Sequence, residues 1–426
     1  MKFLEEKFVP FAAAVGSQKH LVSLRDSFTT IMPLTIAGAL GVLFNYFHQI
    51  FGPSGLNVPA IYEGYGNFIA TSGLTNIFGA MNNGTVGMIS ILIAALFCSK
   101  LTEANGGDGT AAVAVGIACY LAGCPIVDGA IATSFFGATG LFVAMISSLL
   151  AGTIYPKLSA NPKLKITMPD GVPPAVSKSF SSLIPAIITL VIMCAIFQYI
   201  PFFTGQNAWD LVKTFISSPL TALSQGIFMV IVMYFMITLL WCFGLHGANI
   251  VGSVTTPILE PLSLENVALY AAGKEPVHTF TTYFQSSYVH IGGSGATIGL
   301  LVAIFLFSKS KATRTIGNLS LAPGLFNINE PLTFGLPIVM NPTYMIPFIA
   351  GEVLVAVLSY YVTELGLISK TCIAVPWVTT PVIGAFLATG GDFRAAIWVV
   401  IEIVILTCIW TPFVMMNDKM TAGEAE

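Results

Sequence analysis

Glu330 lies in Phe326-Asn327-Ile328-Asn329-Glu330-Pro331-Leu332-Thr333, inside an apolar stretch with no lysine or arginine between Arg314 and Lys370. A carboxylate near a bilayer centre costs roughly 2.5–3.5 kcal/mol, so it usually faces a cavity, a partner or a substrate. In that setting it can accept a hydrogen bond from a hydroxyl group or take its proton. The second candidate is His246, a lone histidine between glycines in Trp241-Cys242-Phe243-Gly244-Leu245-His246-Gly247-Ala248-Asn249. Taken alone it reads as a packed core histidine. Glu330 as a partner is what raises it to a candidate acid–base group.

Three further residues have side chains suited to a polyhydroxylated ligand. Asn83, in Asn82-Asn83-Gly84-Thr85, offers an amide donor and acceptor, or belongs to an ordinary turn between two short helices. Trp377, between Pro376 and Thr379-Thr380-Pro381, offers an indole face for a sugar ring, or anchors the chain at a membrane interface. Asn329 precedes Glu330 and is placed to cap a helix beginning at Pro331. The run Gly292-Gly293-Ser294-Gly295 looks like a phosphate cradle but lacks the lysine and the strand context of one. Close packing or a hairpin tip fits it better.

The elements that carry these residues belong to a membrane protein. Hydrophobic residues make up 55% of the 426, charged residues only 9%, and mean hydropathy is +0.84. A soluble domain carries about a quarter charged residues. Segments apolar enough to cross, at about 20 residues each, lie near 26–51, 68–99, 109–124, 134–155, 180–203, 223–245, 295–308, 343–365, 373–390 and 393–413. The expectation is an all-α polytopic membrane protein with about ten transmembrane helices. Prolines at 323, 331, 337, 342 and 347 rule out one continuous helix through 322–347. Non-helical backbone at membrane depth survives where protein buries it or where it lines a wet cavity. A re-entrant hairpin is therefore expected there, with Glu330 at the positive end of its second arm.

Basic residues cluster at Lys2, Lys7, Lys19 and Arg25, at Lys157, Lys163, Lys165 and Lys178, and at Lys309, Lys311 and Arg314. The positive-inside rule makes all three clusters cytoplasmic, the amino terminus included. The number of crossings between clusters is then even, so 246–294 holds a paired or re-entrant excursion. Leu4, Phe8, Phe11 and Val15 at helical spacing suggest a short interfacial helix kinked at Pro10, rather than a secretory signal. The proline- and lysine-rich loop 156–178 is long enough to receive a soluble partner or to serve as a plain connector. A polar interruption from Phe203 to Pro219, with Trp209 and Lys213 on an interfacial helix, marks a division near residue 205. Seven cysteines scattered in apolar surroundings, without CxxC pairs or clustered histidines, predict neither a metal site nor disulfides. The net charge of −3 gives no reason to expect nucleic acid.

Met32-Pro33-Leu34-Thr35, Gly171-Val172-Pro173-Pro174-Ala175-Val176 leading to Ser179-Phe180, Gly244-Leu245-His246-Gly247 and Asn327-Ile328-Asn329-Glu330-Pro331 together resemble a known family. It is the membrane IIC permease of the bacterial sugar phosphotransferase system, in its lactose, cellobiose and N,N'-diacetylchitobiose branch. The resemblance covers essentially the whole chain. It implies a two-part, elevator-like architecture with re-entrant hairpins, in which residues 1–205 form a scaffold and homodimer half and residues 206–426 a sugar-binding transport half.

It also implies a multi-pass protein of the bacterial cytoplasmic membrane that binds a β-linked disaccharide, diacetylchitobiose or cellobiose foremost. The sugar's 6-hydroxyl is presented to phosphorylated IIB, itself charged by IIA. No cofactor is implied, and no phosphorylation is expected without IIB. Nothing soluble and domain-sized remains in the chain, so IIA and IIB are expected in trans. Glu330 and His246 carry over as the catalytic pair and as substrate ligands, with Asn83, Trp377 and Asn329 as further sugar contacts. The competing expectation is a proton-coupled secondary sugar carrier using Glu330 and His246 as its coupling site.

Overall fold

Proline and glycine punctuate this chain where its helices stop and start. The structure, a computed structural model, describes residues 6–7, 9–52, 58–127, 129–169, 171–336 and 338–423. Lys2, Leu4, Phe8 and Pro337 of the sequence arguments lie outside that set. The described residues are predominantly helical, apart from a hairpin of two-residue strands, Ile126–Val127 and Ala130–Ile131. Among the described residues six helices are long and apolar enough to cross a membrane, and a seventh if the bent pair Ala208–Ser224 and Ile227–Cys242, at 74°, is counted as one span. Two of the ten sequence candidates are short helices, Gly109–Gly123 and Ile298–Phe307.

The contacts divide the chain into two units that interleave in sequence. One holds Ser17–Gly38 and Ala80–Ala222; the other holds the described residues up to Gly16, Ala39–Gly79 and Leu223 onward. Residues 39–79 thus pack with the carboxy-terminal part of the chain.

In the first unit the helices Ile89–Ala104, Gly109–Gly123 and Leu141–Ala160 pack through small residues, as membrane helices do. A Cβ on Gly116 would stand 2.4 Å from the Ala94 carbonyl oxygen, and Ser148 Oγ donates to that same oxygen at 3.0 Å. Asp108 starts Gly109–Gly123 by accepting from the Thr110 amide. One expectation is corrected in this unit. Pro156 lies inside the helix Leu141–Ala160 and the next helix begins at Pro174, so the connector is much shorter than 156–178. Trp209 is buried, its Nε1 donating to the Gly123 carbonyl at 2.9 Å with its ring against Phe135. Its side chain packs within this unit.

In the second unit the core gathers Tyr234, Phe280, Phe284, Tyr288, Phe348 and Trp410. The helix Val9–Gly16 runs without a kink, since Pro10 falls in its first turn, where a missing amide costs nothing. A Cβ on Gly16 would stand 2.9 Å from Ile250, so this helix rests on Gly247–Ala271. Residues 246–294 form that 25-residue helix, then the short turn Thr282–Phe284, a π-turn at Gln285–Val289 and a loop of glycines. Helix Lys311–Leu325 stops before Asn327, whose φ of 62° no regular helix can accommodate. A six-residue helix, Glu330–Gly335, follows, and the long helix Pro342–Glu364 begins after the Asn341 side chain caps the Thr343 amide. The chain therefore breaks on both sides of Glu330–Gly335, as its prolines require.

Candidate functional site

His246 ends a glycine-rich turn between the helices Ile227–Cys242 and Gly247–Ala271. Gly244 adopts φ 76°, and Gly247 lies so near the preceding helix that a Cβ would stand 1.9 Å from the Ile237 carbonyl oxygen. The turn fixes the ring. His246 Nδ1 accepts from the Asn249 amide at 3.2 Å, which in the neutral ring leaves the proton on Nε2. The indole of Trp241 flanks the imidazole, with ring centroids 4.6 Å apart.

Glu330 opens its six-residue helix with Pro331 behind it. Its Oε1 stands 4.0 Å from His246 Nε2, and the two side chains are 45% and 44% exposed. The structure brings the two groups together across 84 positions of sequence. At 4.0 Å they are not hydrogen-bonded. An N–H donor and a carboxylate acceptor face one gap, and a hydroxyl oxygen about 2.8 Å from each would fill it. Such a hydroxyl accepts from His246 Nε2–H and donates to Glu330. With the ring neutral and its proton on Nε2, the Glu330 carboxylate is the one of the two groups that offers an acceptor here.

Asn329 departs from its expected role. It occupies the position before the helix, but its side chain makes no cap hydrogen bond; buried, it donates from Nδ2 to the Ser294 carbonyl at 2.6 Å. The Nδ2 bond turns the side chain toward the neighbouring glycine loop, and its Oδ1, the atom a cap would use, accepts from no amide of the helix. Trp377 is half exposed, with its backbone carbonyl accepting from Asn327 Nδ2 at 2.6 Å. Asn83 is exposed near the end of the helix Leu74–Gly84 and belongs to the other contact unit.

The fixed point of the site is a residue to which the sequence argument gave no role. Asn327 is buried; its Oδ1 accepts from the Gly292 amide at 2.8 Å, and its Nδ2 donates to the carbonyls of Trp377 and Thr379 at 2.6 and 2.9 Å. One side chain thus ties the Glu330 segment to two other loops. Asn327→Ala leaves an amide and two carbonyls without these partners, at about 1–3 kcal/mol for each group that stays buried. It also places alanine at a φ of 62°. The variant is expected to lower the thermal unfolding midpoint in detergent markedly; an unchanged midpoint would show that the loops are held by other means.

Two carboxylates escaped the sequence argument although the signal that marked Glu330 applies to them: Glu352 and Glu402, each an acid inside an apolar span and each wholly buried. Glu402 accepts from Ser359 Oγ, which in turn accepts from Trp398 Nε1, so it joins two long helices. Glu352 pairs with His290 at 2.9 Å.

The family model for the phosphotransferase system EIIC matches residues 25–351. The cellobiose-specific EIIC component of Lactococcus lactis subsp. lactis (strain IL1403) is 34% identical, with 100% of this chain and 99% of that protein covered. The lichenan permease IIC component of Bacillus subtilis (strain 168) is 36% identical over 99% of this chain and 94% of its own length. Among solved structures, the transporter ChbC, the IIC component of the N,N'-diacetylchitobiose-specific phosphotransferase system, superposes with a TM-score of 0.90. It is 31% identical, with 99% of both chains covered. A match of this extent, over a chain whose apolar helices fit a multi-pass membrane protein, places the protein in the EIIC family: it is a sugar-transport permease component of the phosphotransferase system.

Proposed function

We propose that the protein binds a β-linked disaccharide, cellobiose or diacetylchitobiose, carries it inward and presents the 6-hydroxyl of its non-reducing ring to phosphorylated IIB. The observation that carries this reading is the gap between His246 Nε2 and Glu330 Oε1, sized for one hydroxyl group. The sugars named for the relatives support the substrate class. In the reaction the hydroxyl oxygen attacks the phosphorus of phosphocysteine, the phosphorus–sulfur bond breaks, and the thiolate leaves on IIB. The hydroxyl proton passes to Glu330. Catalysis of this kind is positioning and charge management, which a half-exposed donor and acceptor on either side of the nucleophile supply. The chemistry needs IIB; this chain contributes the membrane subunit.

In this reading the unit containing Leu223–Glu426 carries the sugar, and the other serves as scaffold and homodimer contact. About ten crossings with a cytoplasmic amino terminus, and an elevator-like movement of the sugar-carrying part, complete the proposal. The exposed Trp377 indole is a further sugar contact in it, whereas Asn329 acts through the Ser294 carbonyl rather than on sugar.

Membrane vesicles loaded with phospho-IIB test the function. Labelled cellobiose or diacetylchitobiose should be recovered inside as the phosphate, and only when phospho-IIB is present. Accumulation of unmodified sugar driven by a proton gradient would replace this reading with secondary transport.

A further inference from the structure

The unit that holds His246 and Glu330 also holds a second, largely buried histidine–carboxylate pair, His290 and Glu352. Glu352, on the helix Pro342–Glu364, is fully buried. Its Oε2 accepts from the Gly295 amide at 2.5 Å, and its Oε1 stands 2.9 Å from His290 Nε2. The His290 ring is held from two other directions. Gln285 Nε2 stands 3.1 Å from Nδ1 and 3.4 Å from Nε2, and Tyr234 meets the ring edge-on at 5.8 Å. One carboxylate thus meets both ends of the loop 290–295, hydrogen-bonded to the Gly295 amide and in close ionic contact, without a hydrogen bond, with His290.

That loop has no regular structure to hold it. Gly292, Gly293, Gly295 and Ala296 all have positive φ, and a Cβ on Gly295 would enter the Phe348 ring at 2.1 Å. The same loop is the surface against which the Glu330 segment is set. A Cβ on Gly293 would stand 2.8 Å from Asn329; the Gly292 amide donates to Asn327, and the Ser294 carbonyl accepts from Asn329. Asn329 is bonded directly to Glu330.

We infer that Glu352 and His290 are positioning residues for Glu330: by clamping the loop 290–295 they fix the template that sets the carboxylate across from His246. An unpaired buried carboxylate is costly and a paired one is weak evidence for stability, so such a pair is retained best where it specifies a conformation. The inference rests on the reading that Glu330 receives the sugar 6-hydroxyl.

Glu352→Gln is close to isosteric, yet it removes the charge that faces His290, and its amide either keeps the Gly295 bond or turns a donor toward that donor. His290→Asn breaks the clamp from the other side and leaves the Gly295 bond intact, so it carries the test should the first variant fail to fold. The measurement is binding of cellobiose against cellobiose lacking the 6-hydroxyl on its non-reducing ring, to purified full-length protein. The wild type should prefer the parent sugar by roughly 10–100-fold, the range for a hydrogen bond to a charged group. In either variant the preference should shrink to about threefold or less, because the lost contact is the one Glu330 makes, whereas a general loss of structure would weaken both sugars equally.

A preference undiminished in both variants overturns this inference alone. No preference in the wild type overturns it together with the assignment of the 6-hydroxyl. A readout without sugar is amide hydrogen exchange: Glu352→Gln should speed exchange in 290–297 and in 326–333 together. Faster exchange confined to 290–297 overturns the coupling.

Discussion

Glu330→Gln is expected to lower phosphorylation of cellobiose in vesicles supplied with phospho-IIB by about 10²–10⁴-fold, the range a positioned general base contributes. The amide keeps the size and one acceptor oxygen of the carboxylate but cannot take the hydroxyl proton. His246 cannot replace it, because Nδ1 is occupied by the Asn249 amide and Nε2 already bears the proton. The fold should survive the change. Glu330 is 45% exposed, and the loops beside it are tied by Asn327 and Asn329. Protein yield and the thermal midpoint should therefore stay close to wild type while the rate collapses. A variant that retained the full rate would remove Glu330 from the chemistry, and one that failed to fold would show that its carboxylate is structural.

Gly247→Ala is expected to have the largest structural effect of any single methyl group near the site. The new Cβ would stand 1.9 Å from the Ile237 oxygen, 2.7 Å from its carbonyl carbon and 3.0 Å from its Cα. All three are backbone atoms of the neighbouring helix, so no side chain can turn aside to make room. Relief requires the two helices to separate at their closest approach, and overpacking of this kind costs about 1–3 kcal/mol or more. The displaced turn carries His246, so sugar binding should fall together with the thermal midpoint. Gly252→Ala, five residues along the same helix, is the control: its Cβ would meet only Thr256 Oγ1, at an ordinary 3.5 Å. Equal behaviour of the two variants would show that the Gly247 contact is not what sets the turn.

Much of the site could be read from residue types before any coordinates. The prolines placed the chain break around Glu330, and the glycines beside His246 placed a turn there, because both residues act through the backbone alone. The cost of leaving an acid alone at membrane depth made Glu330 a possible partner for His246, and the resemblance to the permease family made the two a pair. What could not be read depends on which partner a polar group finds. Asn329 had the right position for a cap, but the Ser294 carbonyl, 35 residues away in sequence, took its amide. Glu352 carried the same signal as Glu330 and was passed over because no motif surrounded it. The interleaving of residues 39–79 with the carboxy-terminal residues left no local trace, since it rests on contacts between segments far apart in the chain. The partner of the Trp209 indole could not be read either, since the Gly123 carbonyl that accepts from it is 86 residues away.

The central claim is that one sugar hydroxyl bridges His246 and Glu330. Its most direct test is a structure of the protein with cellobiose or diacetylchitobiose bound. The account predicts the 6-hydroxyl oxygen of the non-reducing ring within hydrogen-bonding distance of both His246 Nε2 and Glu330 Oε1. A sugar bound with that hydroxyl away from both groups, or with another hydroxyl in the gap, would contradict it.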